Sequence, residues 1–439
     1  MKRVLLASTA LCLGAGTAAA QDMMMDGPSL ALSGSAEMGV AGSKDDEARF
    51  HTDIDVTFKA TGTTDAGVTW SADVDLDEVS DDANTTAGPP AQTVDAATQD
   101  DDDDGGATVS ISQPAGFGTI TMGDTAGAIA WAVSDARGAG PGSIRDNHEH
   151  GGSSGNDGLD ATHDNQILRW DRAIGSGFSL AASVEIDDDA DGAPGTRTYD
   201  PILGVGGRYS MPMGVGTLGL GLGVQMGSKA HSFASGLTGT QRAANATAAA
   251  DGVKAPNEAD DLWYVPAKGT IAKSGREVDA TAIGASVSLD FGNGADGIKV
   301  IGDAGLMEAD GSLVPAGGGA ATATMDVEAM HMGLGVGYTV GAISLGVNVG
   351  TKVTEDSHDS APGAAASGLV SRETTVNGVG FSAAYDLGGG AALQFGVGSH
   401  ETEYDWTVQG DTDLSGGGNG GYDHSTDTNS WSLGLKFAF

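Results

Sequence analysis

The feature that most constrains this chain is a rhythm of lengths. Segments in which apolar residues recur at every second position follow one another from end to end, and the links between them alternate between short and long. In RFHTDIDVTFKA, Phe50, Ile54, Val56, Phe58 and Ala60 share one parity, while Arg49, His51, Asp53, Asp55 and Lys59 share the other. WSLGLKFAF at the C-terminus repeats the scheme with Trp431, Leu433, Leu435, Phe437 and Phe439. A strand sends successive side chains to opposite faces, so each segment is greasy on one side and polar or small on the other. The pattern predicts strands at 29–40, 48–60, 67–77, 107–113, 117–124, 165–172, 177–186, 202–211, 217–227, 279–291, 297–306, 327–339, 342–353, 374–387, 391–400 and 429–439, an even set of sixteen. Links after even-numbered strands are tight, such as QPAG, PMGVG, VGA and GGG. Links after odd-numbered strands are mostly long: 78–106, 125–164, 187–201, 228–278, 307–326, 354–373 and 401–428.

A soluble sandwich has no reason to sort its links by length. A barrel that spans a membrane does, with tight turns at one rim and long loops at the other. In hydrocarbon every backbone group must pair within the protein, which a closed barrel achieves while its apolar parity faces lipid. The expected fold is therefore all-β, a transmembrane antiparallel barrel of sixteen strands with short periplasmic turns and long extracellular loops. Composition agrees: only 39% of residues are hydrophobic, and mean hydropathy is −0.11. Outside the first residues no run approaches the ~20 apolar residues of a spanning helix. Phe58, Trp70, Tyr209, Phe291, Tyr338, Tyr385, Trp431 and Phe439 are candidates for interfacial girdles.

The N-terminus reads as an export signal over residues 1–20. Lys2 and Arg3 precede the apolar stretch Val4 to Leu13, and Ala18, Ala19 and Ala20 form a small-residue cleavage site. Residues 21–439 are then the barrel. The one cysteine, Cys12, falls in that signal, so the exported chain has no thiol or disulfide chemistry. A net charge of −39 argues against nucleic acid, whose phosphates want lysine and arginine.

At this point the residues resemble a known family, the Gram-negative general porins, and in particular those of alphaproteobacteria. FGTITMGD (Phe117–Asp124) is similar to the strand leading into the inward-folded loop. NQILRWD (Asn165–Asp171) followed by GFSLAASVE is similar to the return strand and its neighbour, and the terminal WSLGLKFAF to the segment recognised by barrel-assembly machinery through its last residue, Phe439. The resemblance implies a water-filled outer-membrane channel for small hydrophilic solutes and cations. It also implies a homotrimer embedded in outer-membrane lipid and lipopolysaccharide, with no cofactor required. It further implies that residues 125–164 fold inward as a constriction, with acids facing arginines on the wall. No clear PEFGG-like tip stands in that loop, and strands one to four carry few bases.

Selectivity in a channel follows from the charge lining its narrowest part. Parity turns Asp53, Asp55, Asp73, Asp75 and Asp77 toward the lumen, outnumbering Arg49 and Lys59. Candidate acids in the inward loop are Asp135, Asp146, Glu149 and Asp157; candidate inward bases are Arg49, Arg169, Arg208 and Lys352. The loop 78–104 holds nine acids and no base, which makes either a cation-concentrating mouth or a solvated acidic loop. Asp187, Asp189 and Asp191 stand at alternate positions before Gly192, the start of a calcium-loop pattern. Thr198 stands where the bidentate Glu would be, so the alternatives are a calcium site and an ordinary acidic loop. His148, Glu149 and His150, with His163 and Asp164, lack the spacing of a regular metal site. GVGTLG (Gly214–Gly219) matches a dinucleotide fingerprint but enters an alternating strand where a helix is required. GGGNGGYD matches a calcium β-roll repeat only once. No nucleophile–base arrangement emerges, and no enzyme is expected. The rival readings are a solute-specific porin or receptor gripping ligand with the loop 228–278, a non-conducting adhesive barrel, and a secreted calcium-binding protein.

Overall fold

The computed structural model describes residues 28–44, 47–77, 105–145, 158–160, 166–186, 200–230, 277–292, 296–313, 323–360, 368–411 and 418–439. Sixteen strands form one closed antiparallel barrel, each paired with its neighbours in sequence. They are β1 (Ser29–Ser43), β2 (Arg49–Thr63), β3 (Thr69–Asp77), β4 (Gly105–Gln113), β5 (Gly118–Asp124), β6 (Gln166–Gly175), β7 (Phe178–Glu185) and β8 (Ile202–Pro212). The circuit continues with β9 (Gly216–Ala230), β10 (Glu277–Gly292), β11 (Gly297–Leu313), β12 (Ala323–Val340), β13 (Ile343–Ser360), β14 (Gly368–Gly388), β15 (Ala391–Asp411) and β16 (Gly418–Ala438). One short helix, α1 (Ala128–Ala132), and a 3-10 turn (Ala136–Ala139) follow β5.

Closure comes from β1 against β16, in register from Ser35 opposite Ala438 to Ser43 opposite Ser430. Phe439 extends the seam: Gly34 N donates to its carbonyl at 2.9 Å and its own N–H donates to Gly34 O at 3.1 Å. The C-terminal alternation thus serves a strand with two partners and leaves no open edge.

The tight links are hairpin turns. Ser176–Gly177 has φ of 53° and 84°, the doubly left-handed geometry that matches strand twist in a two-residue hairpin. Gly389–Gly390 repeats it with 67° and 83°. Large apolar side chains of one parity stay exposed around the wall, among them Leu30 (72%), Leu222 (60%) and Val205 (58%). Such a belt is costly in water and favourable against hydrocarbon. Phe291, Tyr338, Tyr385 and Phe439 are exposed on it toward the short-turn rim, and Phe178 packs on Tyr209 there with ring centroids 4.3 Å apart.

The wall is uneven in height, and here the structure corrects the sequence reading. β14, β15 and β16 have 21 residues each, against 7 in β5. The links predicted at 354–373 and 401–428 are largely strand; only 361–367 and 412–417 separate the flanking elements. Beyond the bilayer the outer face of these strands meets water rather than lipid, so the outward run of apolar residues stops while backbone pairing continues. The change of medium is visible in register: Glu308, Glu328, Glu355, Glu373 and Asp405 stand opposite one another across β11 to β15, all exposed. Like charges directly opposed destabilise a sheet unless water screens them, so this row lies outside the apolar belt.

Candidate functional site

The inner wall and the segment 125–145 together form the site. Residues opposite in parity to the apolar belt point inward, and the segment's contacts all fall on that parity. Ala128 N donates to Ser183 Oγ of β7 at 2.9 Å, Ser134 N to Ser286 Oγ of β10 at 2.8 Å, and Ala136 N to Asp303 Oδ1 of β11 at 2.8 Å. Farther round, Gln394 Nε2 of β15 donates to Pro141 O at 3.3 Å. Ile144 ends against Gly39 of β1 and Gly434 of β16. A single segment can touch all these strands on their polar parity only by running along the inside of the barrel.

Its seat is made by glycine. Inward positions on β8, β9 and β12 place Gly206, Gly221, Gly335 and Gly337 under the carbonyl oxygens of Ala128, Ala132, Ala136 and Ala139. A Cβ at any of the four would come closer than 3.0 Å to the oxygen above it. Gly223 accommodates Ile129 in the same way, and Gly346 accommodates Gly140. The small residues of the polar parity are therefore a recessed track for backbone. Sequence reasoning missed it, although GLGLG (Gly219–Gly223) and GLGVG (Gly333–Gly337) carry the signal: glycine at every second position on the inward side.

Apolar packing completes the seat. Ile129, Ala132, Val133 and Leu159 are buried with Ile202, Ala280, Ala282, Ala309 and Val327 of the wall. The inner parity is thus not uniformly wet: on β8 and β10 to β12 it holds a small core under the segment. Gln225, 1% exposed, ties both legs of the loop to β9. Its Oε1 accepts from Leu159 N at 2.8 Å and its Nε2 donates to Asp160, whose Oδ2 accepts from Gly127 N at 2.7 Å. Sequence reasoning missed Gln225, as it missed Asp303, which also faces His331 Nε2 at 3.1 Å.

The candidate charges separate into two groups. Among the bases, Arg169 donates to Ala126 O at 2.6 Å and to Asp171 at 3.3 Å, and the Arg208 guanidinium lies 4.2 Å over the Trp131 ring. Both therefore hold the segment, as does Lys299, which donates to Gly138 O at 3.0 Å. Asp135 caps the 3-10 turn by accepting from Arg137 N, and pairs with the Arg137 guanidinium at 2.9 Å. The acid expected to face wall arginines is paired inside its own loop. Lys352 stands in register between His331 and Val376. Asp146, Glu149 and Asp157, the candidate calcium residues Asp187, Asp189 and Asp191, and the acidic run 78–104 lie outside the described residues.

The second group lines β1 to β3. Ser35 Oγ donates to Asp55 at 3.0 Å, Thr57 Oγ1 to Asp75, and Lys59 pairs with Asp73 at 2.9 Å. Glu37 sits between Lys436 and His51, the latter at 3.8 Å. Asp53 is in register with Glu37, Arg49 with Ala41, and Asp77 with Asp55. Toward the short-turn rim the inward residues become hydroxyls, with Ser71 and Ser110 2.9 Å apart and Ser112 and Thr119 likewise.

A family model for Gram-negative porins matches residues 7–405. No curated protein matches the sequence. Among solved structures, OmpT of Vibrio cholerae, folded in vitro and in trimer form, is 10% identical, with 94% of this chain and 99% of that chain covered and a TM-score of 0.50. Its loop L8 deletion mutant has the same identity and coverage and a TM-score of 0.51. A Rhodobacter blastica porin mutant is 15% identical over 94% of this chain and 100% of its own, with a TM-score of 0.44. Likeness at such identities speaks for fold alone. The family match covers most of the length and coincides with a closed barrel carrying an internal wall segment, so the chain belongs to the Gram-negative porins.

Proposed function

We propose that the protein is a passive diffusion channel of the outer membrane for small hydrophilic solutes and ions, with a preference for cations. The observation that carries this reading is the asymmetry of the lumen. The segment 125–145 is fastened to the wall from β6 round to β1, while an acid-rich wall on β1 to β3 is left beside it. The remaining passage is polar, bounded by Asp53, Asp55, Asp73 and Asp75 and by a hydroxyl layer below them. Acids outnumber bases on that wall, which favours cations in transit. In this reading the short turns are periplasmic, the tall hairpins β14 to β16 face outward among lipopolysaccharide, and Phe439 presents the terminal strand to the assembly machinery. In the same reading the barrel assembles as a homotrimer, the arrangement that the family resemblance implies.

The experiment is swelling of proteoliposomes in neutral sugars of increasing size. Swelling is expected to slow steadily from mono- to trisaccharides and to rise in proportion to concentration. Saturation with one sugar would replace this reading by a solute-specific porin, and absence of swelling by a plugged or adhesive barrel.

A further inference from the structure

We infer that the end of the inward segment is an internal latch on the closing seam of the barrel: Ile144, buried against β1 and β16 together, holds the first and last strands shut. The inference goes beyond the channel reading and does not depend on conduction.

The seam differs from the other joints of the wall because it joins the two ends of the spanning chain. β1 and β16 are in register from Ser35 to Ser43, with Gly34 and Lys44 bonded at the two ends. β15, by contrast, is in register with β16 from Ala391 to Asp411. No hairpin turn connects β1 to β16, so a seam that opens has only its own contacts to bring it back. Within this ladder Gly39 stands opposite Gly434. A Cβ on Gly39 would come closer than 3.0 Å to Leu433 O and Gly434 Cα, so the strands approach closely here. That Cβ, or one on Gly434, would also come closer than 3.0 Å to Ile144 Cδ1. The isoleucine therefore rests on both strands, across the seam, and is 0% exposed.

Neither strand alone supplies this socket. An open seam would leave Ile144 half uncovered, so its burial favours the closed barrel. The backbone around it is set for the purpose. Ile144 lies between two left-handed residues, Gly142 with φ of 79° and Arg145 with φ of 74°. Arg145 is not glycine, so its conformation carries strain and persists only where neighbours fix it. The preceding residues are fixed: Pro141 O accepts from Gln394 of β15, and Gly140 lies against Gly346 of β13. Next along the seam, Lys436 of β16 pairs with Glu37 of β1, a second contact between the end strands.

The test is residue-resolved hydrogen exchange on the full chain folded in detergent, comparing the native protein with Ile144→Ala and Ile129→Ala. Both isoleucines are buried and both rest on glycine, but Ile129 sits over Gly223 of β9, on the opposite side of the circuit. Ile144→Ala is expected to quicken exchange of the amides that pair β1 with β16 at least about tenfold, with those pairing β8 with β9 unchanged. Ile129→Ala is expected to leave the seam amides at the native rate. Should Ile144→Ala not fold, Ile144→Val removes only the carbon that meets the two glycines, and seam exchange is expected to quicken at least about twofold. Seam exchange at the native rate in the Ile144 variants overturns the inference. So does an equal rise at β8 and β9, or an equal quickening of the seam in Ile129→Ala.

Discussion

The double substitution Gly335→Val, Gly337→Val is expected to lower the unit conductance, because it fills the track on which the inward segment lies. Each new Cβ would fall within 3.0 Å of a segment carbonyl, at Ala136 and Ala139. Overpacking of this kind costs about 1–3 kcal/mol per site, against a net ~1 kcal/mol for each hydrogen bond that holds the segment. The barrel strands are fixed by complete ladders on both sides, so the segment is the part that yields. Tethered by Gln225 and Asp160 at one end and by Ile144 at the other, it is expected to move toward the lumen axis. Gly302→Ala is the control. Gly302 is on the outward parity of β11, and its added methyl would meet only Gly333 O at 3.9 Å. Single-channel recording checks both; equal conductance in the valine variant and the native protein would show that the segment does not bound the passage.

Changing Asp53, Asp55, Asp73, Asp75 and Asp77 together to asparagine is expected to move ion preference strongly toward anions. Asparagine keeps the volume and can still accept from Ser35 and Thr57, so the hydroxyl contacts need not be lost. Lys59 would lose its partner Asp73 and become a free positive charge on the same wall. One charge at 4 Å in water is worth about 1 kcal/mol, so removing several should lower the cation-to-anion permeability ratio by roughly tenfold or more at low salt. At 1 M salt, where the screening length is about 3 Å, most of the difference should vanish. The reversal potential under a salt gradient reads this directly, and an unmoved potential would show that these aspartates do not act on permeating ions.

Strand number and order were legible because lipid imposes period two on every spanning segment. FSLAASVE, which becomes β7, and ISLGVNVG, in β13, show how directly apolar parity maps onto the exposed face. That signal ends where the bilayer ends. Beyond His400 the parity of β15 inverts, with Glu401, Glu403 and Asp405 on the side that Leu393, Phe395 and Val397 hold below, so HETEYDWTVQGD reads as loop, though it pairs with β16 from His400 opposite Thr428 to Val408 opposite Gly420. The internal segment was less legible for a different reason. AIAWAVSDARGAG has no long period, and its conformation is fixed by Ser183, Ser286, Asp303 and Gln394, which are distant in sequence. Parity did place Arg169 and Arg208 on the inward side, yet could not show that they grip the segment. Their partners, Ala126 O and the Trp131 ring, belong to it.

The proposed lumen conducts, and its ion preference comes from the acidic wall of β1 to β3. Its most direct test is the reversal potential of the native, detergent-refolded protein in a planar bilayer under a potassium chloride gradient. Cation preference at low salt, weakening toward 1 M as screening shortens, is the predicted result. Preference for anions, or a folded barrel that passes no current, would contradict the account.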